Sequence, residues 1–144
     1  MIYLDTSCLL KILRPEQWST DVRAAIAVES EVVVSVLAEL ETLLQLKAGW
    51  TGGNCSRPQW RKLELELTLL RNQPPFNFMT LSPRVFQTAL RQHRNSGDLH
   101  CRALDRLHLA AMEELRISRL MTHDESQAKA AMEMGFEVVR PGRD

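Results

Sequence analysis

The amino-acid sequence predicts an α/β protein in which a five-stranded parallel sheet is covered by helices on both faces. Short apolar or β-branched runs alternate along the chain with longer segments that have the periodicity of amphipathic helices. This alternation favours a parallel sheet, because parallel neighbours need a crossover connection between them. The 144 residues, 44% of them hydrophobic, fit a single domain, residues 1–144, with one sizeable core.

Five short runs are the strand candidates, and turn or helix-start residues bound them. They are residues 2–4, 32–34, 78–81, 120–122 and 136–139, with helices expected near 6–13, 16–29, 36–48, 58–72, 83–95, 100–115 and 125–133. Ser35 suits a helix cap, Pro58 and Pro83 suit first helical turns, and Gly135 suits a helix stop. The order of these elements predicts a three-layer α/β/α sandwich.

A helical hairpin arm is expected at about residues 36–72. The segment from Gly49 to Asn54 is the clearest loop in the sequence, and it joins two long helical patterns. Trp50 and Trp60 flank this tip, and we expect them to pack at an interface rather than to stack on bases.

The composition limits the classes of function. Eighteen basic and eighteen acidic side chains cancel, so any nucleic-acid binding must rest on local patches. The three cysteines, Cys8, Cys55 and Cys101, show no C-x-x-C spacing, which argues against a disulfide framework and fits a reducing compartment. No stretch approaches the ~20 apolar residues of a membrane span, and the first residues do not resemble a signal peptide. We therefore expect a cytoplasmic protein.

Two acidic residues directly follow strand candidates. Asp5 comes after the first strand, and Asp124 follows the fourth strand and precedes a helix. In an open parallel sheet, ligands collect beyond the carboxyl ends of the strands. Each residue would also serve as a helix N-cap, so neither alone identifies a site.

A third acidic candidate lies on the helix that follows the valine run. Glu39 falls one turn in, too far from Ser35 for a capping box. It borders an apolar stripe, which predicts that it faces the protein, whereas Glu41 is expected on the far side as a solvated charge. The stripe consists of Val36, Leu40, Leu43 and Leu44.

Asp105 gives the strongest physical signal. Its helical neighbours at i−4, i+4 and i+7 are Cys101, Leu109 and Met112. A carboxylate on so apolar a surface is costly unless it binds a cation or pairs with an arginine, and both explanations remain open. Asp98 would share that face only if the helix began early, and is a second candidate.

Acids that converge at strand ends form an oxygen-rich site that prefers Mg²⁺ or Mn²⁺ to zinc. Like charges held this close need a cation, and the chemistry that uses such a cluster is metal-assisted phosphodiester hydrolysis. A zinc site at His93, Asp98 and His100 matches no strong ligand pattern. The candidates for catalysis and metal binding are Asp5, Glu39, Asp105 and Asp124.

Four fragments in order along the chain carry a more specific signal, and with them the sequence resembles a PIN domain, more narrowly a VapC-like toxin of a VapBC toxin–antitoxin pair. The resemblance implies a metal-dependent endoribonuclease that cuts RNA, forms a homodimer and is inhibited by a VapB-like antitoxin, with which it could build a larger hetero-oligomer. It also implies that the same four acids bind the metal, with Thr6 or Ser7 ordering the first of them. The fragments are residues 3–7, 35–40, 104–111 and 122–124.

The sequence leaves the roles of several basic residues and of one histidine open. Arg106 follows the acid of the third fragment and could face the groove or solvent, and His108 is expected to be a packed structural residue rather than a base. An excess of basic residues could cradle RNA phosphates, bind an acidic partner or form a solvated face. We also expect an antitoxin arginine to fill the acidic groove. The basic residues are Arg84, Arg91, Arg94, Arg102 and Arg106.

Two other classes of function compete. A receiver-like signalling domain also places acids around Mg²⁺, but Asp5 has no acidic neighbour and Lys129 lies mid-helix. A PIN-like domain that has lost catalysis and only binds is the second alternative, and the presence of all four acids disfavours it.

Overall fold

The computed structural model describes residues 1–97 and 100–143, and within them it shows an α/β/α sandwich around a five-stranded sheet. The strand order is β3-β2-β1-β4-β5, and every neighbouring pair is parallel. The predicted fold class is confirmed. The elements are β1 (Ile2–Leu4), α1 (Thr6–Leu13), α2 (Ser19–Ala27), β2 (Val32–Ser35), α3 (Val36–Thr51), α4 (Arg57–Leu70), β3 (Phe76–Met79), α5 (Arg84–Asn95), α6 (Ala103–Glu114), β4 (Arg119–Met121), α7 (Glu125–Glu133) and β5 (Glu137–Val139).

The sheet separates two apolar cores, because successive side chains of a strand point to opposite faces. Ile2 and Leu4 pack with α1, α2, α3 and α4, whereas Tyr3 packs with α5, α6 and α7. The central strand β1 is fully buried, with Ile2 opposite Val32 of β2 and Tyr3 opposite Leu120 of β4. Helices therefore cover both faces, and the carboxyl ends of β1, β2 and β4 meet at one edge.

Some predicted boundaries were wrong. β3 begins at Phe76 rather than residue 78, because Phe76 pairs with Val32 and the strand ends with Met79 opposite Ser35. The last helix before β4 begins at Ala103 rather than residue 100, since the residue before it keeps an extended backbone. α2 is shorter than the predicted 16–29.

The helix ends follow the sequence signals in most cases. The hydroxyl of Ser35 accepts a hydrogen bond from the Ala38 N–H at 3.2 Å and caps α3. Pro58 lies in the first turn of α4, and Gly135 adopts a positive φ of 81° just beyond α7. Pro83 occupies the cap position of α5 rather than its first turn.

The hairpin arm consists of α3 and α4, but its tip is shorter than predicted. α3 continues through Gly49 and Trp50 and ends at Thr51, with Gly52 as its C-cap. The rings of Trp50 and Trp60 stack 4.3 Å apart and nearly parallel, and Trp60 is buried in the core between the arm and α1. Contrary to the expected interface role, Trp60 packs within its own chain. In the described part of the chain, none of the helices combines the length and apolarity needed to cross a membrane.

Candidate active site

Asp5 occupies the carboxyl end of the central strand and is held by several donors. Its Oδ2 accepts hydrogen bonds from the Ser7 N–H at 3.2 Å, the Ser7 hydroxyl at 2.6 Å and the Thr122 hydroxyl at 2.8 Å. The amide nitrogen of Gln127 faces Oδ1 at 2.7 Å, since the amide oxygen would find only acceptors there. Asp5 therefore caps α1 and presents a buried, oriented carboxylate at the edge of the sheet.

Glu41 of α3 reaches the same edge. Its Oε2 accepts hydrogen bonds from the Thr6 hydroxyl at 2.8 Å and from Nε2 of His108 at 2.6 Å, because an ionised carboxylate can only accept. The other ring nitrogen of His108 lies 2.7 Å from the Tyr3 hydroxyl, which in turn lies 2.5 Å from the Ser35 hydroxyl. These linked hydrogen bonds fix the imidazole of His108 and, through it, the position of the Glu41 carboxylate.

Within this series of hydrogen bonds, the pKa of Glu41 is lowered and the pKa of Tyr3 is raised. Burial alone would raise the pKa of Glu41, but the hydrogen bonds from His108 and Thr6 outweigh it and lower the pKa below its usual value. Burial raises the pKa of the Tyr3 phenol. At neutral pH Glu41 is therefore ionised and Tyr3 is neutral.

Asp105 and Asp124 converge on Arg102. Nε and Nη2 of Arg102 bind the two oxygens of Asp105 at 2.7 and 3.1 Å, and Nη2 also binds Oδ2 of Asp124 at 2.6 Å. Oδ1 of Asp124 accepts the Gln127 N–H at 3.0 Å and caps α7. Burial would raise the pKa of Asp124, yet the Gln127 N–H and Arg102 lower it overall. The hydrogen bonds that Arg102 donates, chiefly to Asp105 and secondly to Asp124, raise the pKa of its guanidinium.

The two pairs of acids share one groove. The Thr122 hydroxyl that donates to Asp5 also accepts the Asp124 N–H at 3.0 Å. Nε2 of His108 lies 4.0 Å from Oδ1 of Asp5 as well as 2.6 Å from Glu41. Asp5, Glu41, Asp105 and Asp124 therefore lie near one another at the carboxyl edge of the sheet, and we call this region the acidic groove.

Glu39 lies apart from this groove, and the expectation that Glu41 is a solvated charge was wrong, because Thr6 and His108 bind its carboxylate. Glu39 forms an ion pair with Arg71 at the end of α4. The packed face of α3 carries Ala38, Thr42 and Leu46, and this face brings Glu41 inward. The apolar stripe that guided the prediction is largely on the surface, with exposed side chains at Val36, Leu40 and Leu44.

The other residues that the sequence highlights bind or pack within the protein. Ser7 orders Asp5 as expected, whereas Thr6 binds Glu41 instead. Arg106 is buried, with Nη1 3.2 Å from the Met134 sulfur, so it faces neither groove nor solvent. His108 is buried, as predicted.

Most of the arginines predicted to form a basic surface are in ion pairs with acidic side chains. Arg84 and Arg91 form ion pairs with Glu114 and Glu113, and Arg102 enters the acidic groove. The second candidate acid, Asp98, lies outside the described residues, and so does the part that it would play in a zinc site with His93 and His100.

The donor set of the groove fits a hard divalent cation. All four acids offer oxygen, the ligand that Mg²⁺ and Mn²⁺ prefer, and a cationic guanidinium already bridges two of them. Within residues 1–97 and 100–143, as the side chains stand, no three His, Cys, Asp or Glu residues are close enough to hold a metal together. A metal would therefore have to draw in the carboxylates that Arg102 now holds.

Comparison with known proteins identifies the family. A family model described as the PIN domain matches residues 2–133. The chain belongs to the PIN domain family. This membership removes the receiver-like alternative, and it agrees with the parallel sheet and with the acidic edge described above.

Relatives of this PIN domain match over nearly its whole length. Ribonuclease VapC46 of Mycobacterium tuberculosis is 30% identical over 145 residues, covering 97% of this chain and 97% of the relative. Ribonuclease VapC47 of the same species is 25% identical over 148 residues, covering 99% and 98%. The crystal structure of M. tuberculosis VapC20, described as a toxin that cleaves the sarcin–ricin loop, superimposes with a TM-score of 0.75 at 17% identity, covering 98% of this chain and all of that one.

Three groove residues of this PIN domain are not predicted by the sequence. Glu41 could have been found from Ala38 and Thr42, whose small side chains at i and i+4 allow close helix packing. Gln127 is buried in α7 and touches Asp5. Arg102 belongs to the basic stretch of the sequence but binds Asp105 and Asp124. Nothing in the sequence showed that Arg102 turns toward the acids rather than away from them.

Proposed function

We propose that this PIN domain is a metal-dependent endoribonuclease that cuts RNA phosphodiester bonds in the acidic groove, as the toxin of a toxin–antitoxin pair. The convergence of four carboxylates on one groove carries the proposal: Asp5 and Glu41 beside His108, and Asp105 and Asp124 around one guanidinium. The two curated relatives named as ribonucleases support it. Acting on cellular RNA, the enzyme would work in the cytoplasm.

The proposed ligands for Mg²⁺ or Mn²⁺ are the oxygens of Asp5, Asp105 and Asp124, with Glu41 at the border of the site in place of Glu39. When bound, the cation would supply an activated water and stabilise the charge that develops on the phosphate. The chain contributes orientation: Asp5 is fixed by its hydroxyl and amide donors, and Asp124 by the N-terminus of α7.

Glu41 has the chemistry of a proton acceptor or water-orienting group in this site. Its pKa is held low by His108 and Thr6, so it is ionised at neutral pH. Its Oε2 and the nearest oxygen of Asp5 both lie within 4.0 Å of His108 Nε2. A water between the two carboxylates would thus meet two acceptors, which favours loss of its proton.

Two protein partners belong to the proposal. Val36 and Leu40 of α3 and Phe86 of α5 are 45%, 53% and 60% exposed and line one apolar pocket, which we assign to contact with a second copy of the chain. A VapB-like antitoxin is the second partner. Its arginine could occupy the groove, because these carboxylates already bind a guanidinium in two-oxygen geometry.

The experiment that tests the proposed function is cleavage of total cellular RNA by the purified protein, followed by sequencing of the new RNA ends. We expect defined cuts with Mg²⁺ or Mn²⁺ and none with a chelator. Asp124→Asn should lose cleavage on the order of 100-fold, whereas Glu64→Gln, on the arm beside Arg61, should cut like the wild type. Equal cutting with and without chelator, or by Asp124→Asn, would contradict the proposal.

A further inference from the structure

Arg102 is the cation of the acidic groove in this structure. It makes three hydrogen bonds to carboxylate oxygens, two to Asp105 and one to Asp124. Asp105 is 6% exposed, and Arg102 is the basic side chain that binds both of its oxygens. The sequence left two explanations open for Asp105, a metal or an arginine, and the structure shows the arginine from three residues earlier on the same chain.

The oxygens that Arg102 binds are the ones the metal needs. Nη2 alone contacts both Asp105 and Asp124, so the guanidinium stands between the two carboxylates that would share the ion. A divalent cation placed between these two carboxylates would compete with the guanidinium, because Nη2 already occupies the space between them and the two positive charges repel. Binding of one must therefore weaken binding of the other.

The arginine is the component that can move. Its side chain is 58% exposed, against 9% for Asp105 and 29% for Asp124, and its backbone lies just before the first turn of α6. Asp124 is fixed by its capping bond to Gln127. Rotation of the Arg102 side chain into solvent would free both acids without changing a helix or a strand.

We propose that Arg102 is an internal latch, an autoinhibitory contact that closes the groove until a divalent cation displaces its guanidinium from Asp105 and Asp124. The inference rests on the proposed function and adds a regulatory step to it. The chain carries in cis the kind of group that an antitoxin would insert in trans. The latch raises the concentration of metal that is needed to fill the groove. When no metal is bound, its positive charge also reduces the repulsion between the two carboxylates.

The latch predicts a change in metal affinity. In Arg102→Gln, Mn²⁺ should bind about 3- to 10-fold more tightly than in the wild type, a range set by the strength of partly exposed but doubly hydrogen-bonded ion pairs. Without metal, the same variant should melt at a lower temperature than the wild type, because two close carboxylates lose their cation. With saturating Mn²⁺ this difference should vanish, since the metal replaces the guanidinium.

The test is a titration of the full chain with Mn²⁺, with free Mn²⁺ followed by electron paramagnetic resonance and melting temperatures measured in parallel. Arg102→Gln should keep the fold, because the Arg102 side chain makes no capping bond to α6. Arg91→Gln, which removes an exposed arginine from its pair with Glu113, is the matched control and should bind Mn²⁺ like the wild type.

The outcomes separate the latch from the proposed function. Tighter binding in Arg102→Gln but not in Arg91→Gln supports the latch. Equal or weaker binding in Arg102→Gln overturns it and leaves the metal site standing. Absence of Mn²⁺ binding in the wild type and in Arg102→Gln overturns both the latch and the metal-dependent function.

Discussion

Replacement of Asp5 by asparagine should lower RNA cleavage on the order of 10²- to 10³-fold. Asp5 stands at the carboxyl end of the central strand with both oxygens held by neighbouring donors. Asparagine keeps the shape of the side chain but loses the charge that binds a cation. Rates of cutting on a fixed RNA, compared under saturating Mn²⁺, give the measurement.

The same variant should remain folded. Asparagine is a good N-cap, so α1 keeps the bond from the Ser7 N–H. If the amide oxygen of the asparagine takes the place of Oδ2, the hydroxyls of Ser7 and Thr122 still donate to it. The Gln127 amide can turn so that its oxygen accepts from the new nitrogen, and we expect a loss of about 1 kcal/mol or less in the free energy of unfolding. A folded Asp5→Asn protein that cuts RNA at the wild-type rate would show that Asp5 lies outside the catalytic site.

Glu41→Gln and Glu39→Gln should behave differently although the residues are two positions apart. Glu41 faces Asp5 across His108, whereas Glu39 pairs with Arg71 on the arm. We expect Glu41→Gln to lose cleavage by about 10²-fold, as for removal of a general base. Glu39→Gln should stay within about 3-fold of the wild type, since its carboxylate binds Arg71 instead of a group in the groove.

This pair of variants is its own control, because both lose one charge from the same helix. Melting temperatures should show that both are folded. In Glu41→Gln the new amide oxygen can still accept a hydrogen bond from Thr6 or His108. If Glu39→Gln abolishes cleavage and Glu41→Gln does not, the assignment of the groove to Glu41 is wrong.

The fold was predictable because its signals are local and agree with one another. The buried run at residues 2–4, the valine run after residue 31 and the caps at Asp5, Ser35 and Asp124 are all recognisable within a few residues. Sheet order then places Asp5 and Asp124 together, since β1 and β4 are neighbours. These two acids followed from strand ends alone.

The orientation of α3 was not predictable from its apolar pattern. A stripe of large apolar side chains usually faces the core, but here Val36, Leu40 and Leu44 are exposed and the helix packs through Ala38 and Thr42. This exposed pattern misdirected the choice between Glu39 and Glu41. Which face is buried depended on packing against α1 and the sheet.

The role of Arg102 could not be read from the sequence for a different reason. A long side chain just before a helix can turn toward solvent or toward the helix, and Asp124, 22 residues later, joins Asp105 in holding it in the second orientation. Contacts of this kind depend on two loops that meet at the sheet edge. The sequence shows each loop but not the distance between their side chains.

The central claim is that Asp5, Glu41, Asp105 and Asp124 form one metal-binding catalytic groove. Crystals grown with Mn²⁺, with anomalous scattering recorded at the manganese absorption edge, test it most directly. We predict an anomalous peak in the groove, with oxygens of Asp5 and of Asp105 or Asp124 at roughly 2.0–2.2 Å from the ion, close to the Mg²⁺–oxygen distance. Manganese bound beside Glu39, or only elsewhere on the surface while the groove stays without a peak, would contradict the claim.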